Sequence, residues 1–195
     1  MAHISPLPRD AVSEFAERFK HYEETRGFIP NSILTMQRRP AIAAAFMALN
    51  QSVLYEGTVS EELKMLVSLI SSQAAGCRYC QAHMANLSDI YKASAAKIAA
   101  VWEWQTSDQF TTAERAALDL AFHASIVPNQ ATKAHFDEAR KHFDDDQLVE
   151  IVATIALFGY LNRWNDTIGT ALETYPKARA ENLLDKVDWD IGKHK

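Results

Sequence analysis

The sequence predicts an all-α fold, and three observations support this prediction. Apolar residues recur at spacings of three and four along most of the chain, as they do on one face of a helix. Only 6 Gly and 6 Pro occur among 195 residues, and most of them lie between periodic segments. No segment shows the period of two that a half-buried strand requires, with residues 28–34 the only doubtful stretch. We therefore expect helices throughout, in a single domain over residues 1–195.

Start and stop signals divide the first half into six predicted helical segments. Gly27 ends the first helix, and Pro40 stands where a proline can open the third. Thr58 and Glu61 have the spacing of a capping box, in which two side chains satisfy the free N–H groups of the first turn. Cys77 begins the fifth segment. The predicted segments are 10–25, 30–39, 40–55, 58–76, 77–91 and 94–104.

The second half repeats this organisation. Thr111 and Glu114 have capping-box spacing, and the helix that they open ends before Pro128. Asp144 supplies an N-cap for a long helix, which is apolar almost all round at its start, so we expect it to be the central buried helix. The two other predicted segments are 131–143 and, for the long helix, 147–173. The polar tail from residue 175 is expected to wrap a neighbouring element through three apolar side chains, Leu183, Leu184 and Trp189.

Composition and charge exclude several classes of function. The formal net charge is -5, from 20 Lys and Arg against 25 Asp and Glu, and no basic cluster suggests a nucleic-acid surface. No apolar run approaches the roughly 20 residues that a membrane span needs. Residues 1–9 lack the apolar stretch of a secretory signal, so a cytoplasmic protein is expected.

The two cysteines, Cys77 and Cys80, lie three residues apart, which is too few and too close for a disulfide framework. At the start of a helix, free N–H groups and the helix dipole stabilise a thiolate at Cys77. Cys80 lies one turn further along the same face, and His83 lies one turn beyond it, where an imidazole can take the proton of Cys80. This spacing indicates reversible dithiol chemistry with a nucleophile, a resolving thiol and a base.

Other interpretations of the pair stay open at this point. Both cysteines could be small core residues. Cys77, Cys80 and His83 could bind zinc, but a structural zinc site takes four ligands, and His123 and His135 are isolated candidates for the fourth. We therefore expect no metal and no cofactor. A thioredoxin fold places such a pair after a strand, whereas a helix precedes it here.

A polar cluster stands at the end of the long apolar helix. One interpretation is that it lines a pocket or satisfies helix ends near the cysteines, and the other is that it lies at a subunit interface. Its members are Asn162, Arg163, Asn165 and Asp166.

The most distinctive segment is Ala-Gly-Cys-Arg-Tyr-Cys-Gln-Ala-His over 75–83, preceded by the helix over 61–74. Through this segment, and less specifically over 157–167, the chain resembles the AhpD-like alkylhydroperoxidase and carboxymuconolactone decarboxylase family, in its peroxidase-related branch. The resemblance implies an all-helical AhpD-like fold that assembles into homo-oligomers. It also implies hydroperoxide reduction, in which Cys80 attacks the peroxide and Cys77 closes the disulfide. A dithiol protein or lipoyl-type partner would return the electrons.

The proton relay of the family is altered in this chain. Met65 stands where the family has a glutamate, twelve residues before the first cysteine. Met84 replaces the relay histidine, which stands one position earlier here as His83, and Tyr79 replaces a histidine between the cysteines. Glu62 is the candidate replacement acid, because three residues change its direction by only about 60° around a helix. It could equally be an exposed acid that serves the helix dipole.

The sequence thus leads to a cofactor-free antioxidant enzyme that reduces a hydroperoxide, with Cys80 as nucleophile, Cys77 as resolving thiol and His83 as base. Two alternatives remain. One is a redox sensor or binding protein whose thiols oxidise without turnover. The other is a decarboxylase or isomerase acting on a small lactone acid, as the second family name suggests, and its chemistry needs acidic and basic pocket groups rather than a thiol pair.

Overall fold

The computed structural model describes residues 2–195, which form ten α-helices, three short 3-10 turns and no strand. This confirms the all-α prediction, and in the doubtful stretch residues 28–30 form a loop and 31–34 lie in a helix. The helices are α1 (Ala16–Arg26), α2 (Asn31–Met36), α3 (Pro40–Tyr55), α4 (Glu61–Ala74), α5 (Arg78–Ile90), α6 (Ala95–Ala99), α7 (Thr112–Ser125), α8 (Lys133–Ala139), α9 (Asp145–Ile168) and α10 (Thr174–Leu183).

Local signals determine several helix ends. α3 has the predicted bounds, with Pro40 in its first turn. Thr111 and Glu114 form the complete capping box that opens α7. Asp144 caps α9 by accepting from the backbone of Gln147. At these positions a short segment contains every group that the cap requires.

The predicted capping box at Thr58 is wrong. Ser60 caps α4 instead, by accepting a hydrogen bond from Leu63 N. Thr58 donates from its backbone N–H and its hydroxyl to Oε1 of Glu150, at 2.8 and 3.1 Å. Thr58 therefore binds a carboxylate 92 residues further along the chain instead of capping the helix that follows it.

The central helix is α4 rather than the predicted α9. Ten consecutive residues of α4, 63–72, are buried, and α4 packs against α5, α7 and α9. Two of its three buried serines donate their hydroxyls to carbonyls one turn back, from Ser68 to Lys64 and from Ser72 to Ser68. α9 exposes three apolar side chains, Val149, Val152 and Tyr160.

A buried ion pair links α4 to α9. The Lys64 side chain is 1% exposed, and its Nζ lies 2.8 Å from Oε2 of Glu150. The Glu150 carboxylate also accepts from the backbone N–H groups of Thr58 and Val59. Desolvation acts to raise the pKa of Glu150, but these hydrogen bonds and the Lys64 charge outweigh it and lower the pKa to about 2.

The segment after α9 folds back over α5. α10 packs against α5, and the three apolar side chains of the tail, Leu183, Leu184 and Trp189, are buried in the core of the chain itself. Beyond them, the backbone N–H of Leu172 donates to the carbonyl of His194. The end of the described chain thus returns to the loop between α9 and α10. Within residues 2–195, no helix combines the length and the apolar character needed to cross a bilayer.

Candidate active site

The cysteines lie at the junction of α4 and α5. Gly76 adopts a positive φ of 76°, which turns the chain between the two helices. Cys77 follows as the N-cap residue of α5, and Cys80 lies in the first turn, as the sequence predicts. Both are free thiols, and they are only 0% and 2% exposed. The pair is therefore shielded from bulk water while it remains reduced.

The two thiols differ in acidity. A hydrogen bond from the Cys80 thiol lowers the pKa of Cys77 to about 6; desolvation opposes this shift, and His194 together with the backbone N–H of Cys80 supports it. The pKa of Cys80 is raised well above its usual value, because its thiol is desolvated and donates to the neighbouring Cys77 sulfur. Cys80 therefore holds its proton more tightly than Cys77 does.

Cys80 faces a cavity of about 50 Å³ between α3, α5 and α9. Asn165 of α9 reaches the same sulfur, and its side-chain amide donates to Cys80 Sγ at 3.4 Å. Asn162, one turn earlier on α9, donates to the carbonyl of Ser71 at the end of α4. The polar cluster on α9 thus touches the thiol site, in agreement with one of the two interpretations of the sequence. The aromatic side chains that line the cavity are Tyr22, Phe46, Tyr55, Tyr79 and Phe158.

His83 also lines the cavity, but its hydrogen bond runs to Glu173 rather than to Cys80. His83 Nε2 lies 2.7 Å from Oε2 of Glu173, and its ring stacks on Tyr79 with centroids 4.3 Å apart. The Tyr79 hydroxyl donates to Oε1 of the same carboxylate at 2.9 Å, and Asn31 N donates to it as well. Desolvation acts to raise the pKa of Glu173, but the charge and hydrogen bond of His83 and the bond from Asn31 outweigh it and lower the pKa.

Glu62 does not reach this cavity. Its carboxylate lies 3.0 Å from Lys97 Nζ, which also pairs with Glu114 at 2.6 Å. Glu173 is instead the acid beside His83. Glu173 is the N-cap residue of α10, and no spacing along the chain relates it to α5.

The structure does not gather the zinc set considered from the sequence, because His83 turns towards Glu173 while Cys77 and Cys80 face each other. His123 and His135 stack on each other with ring centroids 4.5 Å apart, beside Asp119. His135 Nδ1 accepts from the backbone N–H of Thr132, so the proton of the neutral ring lies on Nε2.

Comparisons with known proteins agree with this fold. Residues 40–122 match the model of the carboxymuconolactone decarboxylase family. The apo crystal structure of the debrominase Bmp8 superposes with a TM-score of 0.86 at 37% identity, covering 92% of this chain and 97% of that chain. A cysteine-to-alanine variant of Bmp8 in complex with 2,3,4-tribromopyrrole gives the same TM-score.

The chain is also similar to two more distant proteins. A peroxidase-related protein with the alkylhydroperoxidase AhpD core from Ralstonia eutropha superposes with a TM-score of 0.77 at 26% identity, covering 89% of this chain and 94% of that chain. The YdfG protein of Bacillus subtilis is 24% identical over 112 residues, which are 56% of this chain and 74% of YdfG. The chain therefore belongs to the AhpD-like, carboxymuconolactone decarboxylase family.

Proposed function

We propose that this protein is a thiol-dependent peroxidase that reduces a hydroperoxide by two electrons through Cys80 and Cys77. One arrangement carries the proposal. Cys80 faces a largely apolar cavity, next to a thiol of lowered pKa and on the same cavity wall as a histidine–carboxylate pair. A nucleophile, a resolving thiol and a proton carrier are the three groups that such a cycle requires.

The first half of the cycle takes place at Cys80. Its proton passes to His83, and the thiolate attacks the terminal oxygen of the hydroperoxide. An S–O bond forms, the O–O bond breaks, and the alkoxide leaves as an alcohol with the proton that His83 returns. The Asn165 amide, which donates to Cys80 Sγ, stabilises the attacking thiolate. The product is a sulfenic acid on Cys80.

The second half closes and reopens the disulfide. The Cys77 thiolate attacks Cys80 Sγ, so that an S–S bond forms and hydroxide leaves as water after taking up a proton. A dithiol donor, either a protein or a lipoyl-type group, then returns two electrons and two protons. The full cycle thus consumes one hydroperoxide and one dithiol and yields an alcohol, water and the oxidised donor.

The size of the cavity favours a small oxidant. A volume of about 50 Å³ holds only a few water-sized groups. The peroxide group of hydrogen peroxide or of a small alkyl hydroperoxide fits this space. The aromatic side chains that line the same cavity suit an alkyl chain, and Arg26 adds one cationic group to the lining.

Reductive debromination is a second candidate, favoured by the 37% identity with Bmp8 over nearly the whole chain. The same three residues would carry out this reaction. Cys80 attacks bromine, an S–Br bond forms, the C–Br bond breaks, and the carbon takes a proton from His83. Cys77 then displaces bromide and forms the disulfide. A bromopyrrole ring needs more room than the closed cavity offers, so side chains of its aromatic wall would have to move.

A direct experiment is turnover of hydrogen peroxide, cumene hydroperoxide and 2,3,4-tribromopyrrole with dihydrolipoamide as donor. We expect hydroperoxide consumption that disappears in Cys80→Ser and is limited to a single turnover or less in Cys77→Ser. Equal turnover by the double cysteine variant would refute the proposal. Stoichiometric oxidation without recycling would identify a redox sensor, and activity on a lactone acid that survives thiol alkylation would identify a decarboxylase-type enzyme.

We also propose that the protein is a cytoplasmic homo-oligomer. Exposed apolar side chains on α9, including Val149 and Val152, suit self-association. Sedimentation analysis of the wild-type protein and of Val149→Lys tests this proposal. A lower mass for the variant supports it, and a monomeric wild-type protein contradicts it.

A further inference from the structure

A second histidine, His194, is buried beside Cys77. It is 1% exposed, although the residues on either side of it are polar. Its backbone carbonyl accepts from Leu172 N at 2.9 Å, and its backbone N–H donates to the carbonyl of Ile191 at 3.2 Å. The backbone of His194 is therefore fixed on both sides by main-chain hydrogen bonds.

The hydrogen bonds of the His194 ring define its tautomer. Nδ1 lies 2.8 Å from the carbonyl oxygen of Thr170, and a carbonyl can only accept, so Nδ1 carries a proton. The neutral ring then has its lone pair on Nε2. Within residues 2–195, this buried Nε2 atom has no hydrogen-bond partner. An unpartnered basic nitrogen is costly to bury unless a proton donor lies next to it.

That donor is Cys77. Cys77 Sγ, a carboxylate oxygen of Asp166 and a ring nitrogen of His194 all lie within 4.8 Å of one another. Asp166 Oδ1 is 3.6 Å from Nε2, and its other oxygen pairs with Lys193 at 2.7 Å. Nε2 therefore faces both the thiol and the carboxylate, while the Thr170 carbonyl orients the ring through Nδ1. A thiol beside a base that a third group orients is the arrangement that activates cysteine nucleophiles in general.

We propose that His194 is the base that ionises Cys77 and stores its proton until the disulfide forms, while Asp166 stabilises the imidazolium. The role deepens the proposed function, on which it rests for the resolving step. Before that step His194 Nε2 holds the proton and Cys77 is a thiolate. When the S–S bond forms and hydroxide leaves, the imidazolium supplies the proton that makes it water. Each cysteine therefore has its own histidine: His83 serves Cys80, and His194 serves Cys77.

The surroundings of His194 support this assignment. The charged and titratable groups that face it are Cys77 and, through it, Cys80 from α5, Asp166 from α9, and Lys193 from its own segment. Tyr79 contributes a ring whose centroid lies 5.8 Å away. Desolvation acts to lower the pKa of His194, but the adjacent Cys77 thiol, the hydrogen bond to the Thr170 carbonyl and the charge of Asp166 outweigh it and raise the pKa.

The test measures ionisation of Cys77 without any substrate. In a Cys80→Ser background one thiol remains, and its thiolate absorbance at 240 nm is followed against pH, below the range where tyrosines ionise. We expect His194→Gln to raise the midpoint by about 1–2 pH units. Lys195→Gln, an exposed neighbour, is the matched control and should leave the midpoint unchanged. Near-UV circular dichroism identifies a variant that has lost its packing.

A reciprocal measurement leaves His194 intact. Removing the thiol in Cys77→Ser should lower the midpoint of His194 in an NMR titration of the imidazole. An unchanged Cys77 midpoint in folded His194→Gln, or an unchanged His194 midpoint in Cys77→Ser, overturns the inference. Retention of one zinc ion per chain by the wild-type protein also overturns it, because a metal would then occupy Nε2. If both midpoints move but no hydroperoxide is consumed, the inference stands and the proposed function fails.

Discussion

His83 Nε2 lies 2.7 Å from Oε2 of Glu173, a residue 90 positions further along the chain. The carboxylate orients the imidazole, as the acid of a catalytic triad does for its histidine. Glu173 is therefore the acid partner of the histidine, a role for which the sequence suggested only Glu62. Glu173 is the N-cap residue of α10, so the position of its carboxylate depends on the packing of α10 against α5.

Replacing Glu173 by Gln should lower kcat/KM for hydroperoxide by about 10- to 100-fold, since a hydrogen bond to a charged group contributes about 1.5–3 kcal/mol. Steady-state kinetics with dihydrolipoamide give the measurement. Glu62→Gln is the matched control, because it removes a carboxylate of the same kind that pairs with Lys97 outside the cavity. A larger loss in Glu62→Gln than in Glu173→Gln would contradict the assignment.

Removing the Asn165 side chain as Asn165→Ala should slow the first oxidation of Cys80 by about tenfold, because the attacking thiolate loses a hydrogen-bond donor. Single-turnover loss of free thiol after mixing with peroxide reports this step. Asn182→Ala is the control. Like Asn165, Asn182 donates its amide to a carbonyl four residues earlier, but it lies on the exposed side of α10. Equal rates in wild type and Asn165→Ala would refute the role.

Tyr79→Phe should keep the stacking on His83 and lose the hydroxyl that donates to Glu173. We expect a fall in kcat/KM of about threefold to tenfold and a loss of about 1 kcal/mol in the free energy of unfolding. Peroxide kinetics and urea denaturation measure the two effects. An unchanged kcat/KM would mean that the hydroxyl does not help to position the carboxylate.

Glu150→Gln should destabilise the fold by about 1.5–3 kcal/mol, because the buried Lys64 cation loses its charged partner and keeps only neutral acceptors such as the Glu56 carbonyl. Lys64→Met in the same chain should recover much of that loss, since an apolar side chain can replace a buried ion pair. The folded pKa of Glu150, about 2, lies below its usual value of 4.5. Its contribution is therefore complete above about pH 4.5 and disappears as the pH falls towards 2.

Urea denaturation of wild type and Glu150→Gln at several pH values checks this prediction. The stability difference should be constant near neutral pH and should shrink below pH 4.5. A difference that grows as the pH falls would contradict the sign of the linkage.

Helix ends were predictable where the capping groups lie within four residues of each other and no distant side chain competes for them. The boxes at Thr111 and Asp144 and the start of α3 at Pro40 are of this kind. The prediction fails at Thr58, because Glu150 reaches it from another helix. Burial of α4 was also missed, since serines that bond back to their own helix read as polar although they pack as small core residues.

The same distinction applies to the site. Cys77, Cys80 and His83 share one helix, so spacing alone places them together. Glu173 and His194 come from loops after α9, and neither has a local pattern that points to α5. For the residues that reach the thiols from outside α5, the only sequence signal was the polar cluster at the end of α9. Its member Asn165 contacts Cys80.

The burial of the cysteine pair has a kinetic consequence. Cys80 is 2% exposed and Cys77 is 0% exposed, and Cys80 faces the aromatic cavity. An oxidant and a reducing dithiol that both reach Cys80 through this cavity cannot occupy it together. The enzyme would then alternate between two half-reactions with ping-pong kinetics. A high concentration of either reactant would inhibit binding of the other. A narrow, flexible dithiol group could also enter this cavity, whereas the body of a folded protein could not.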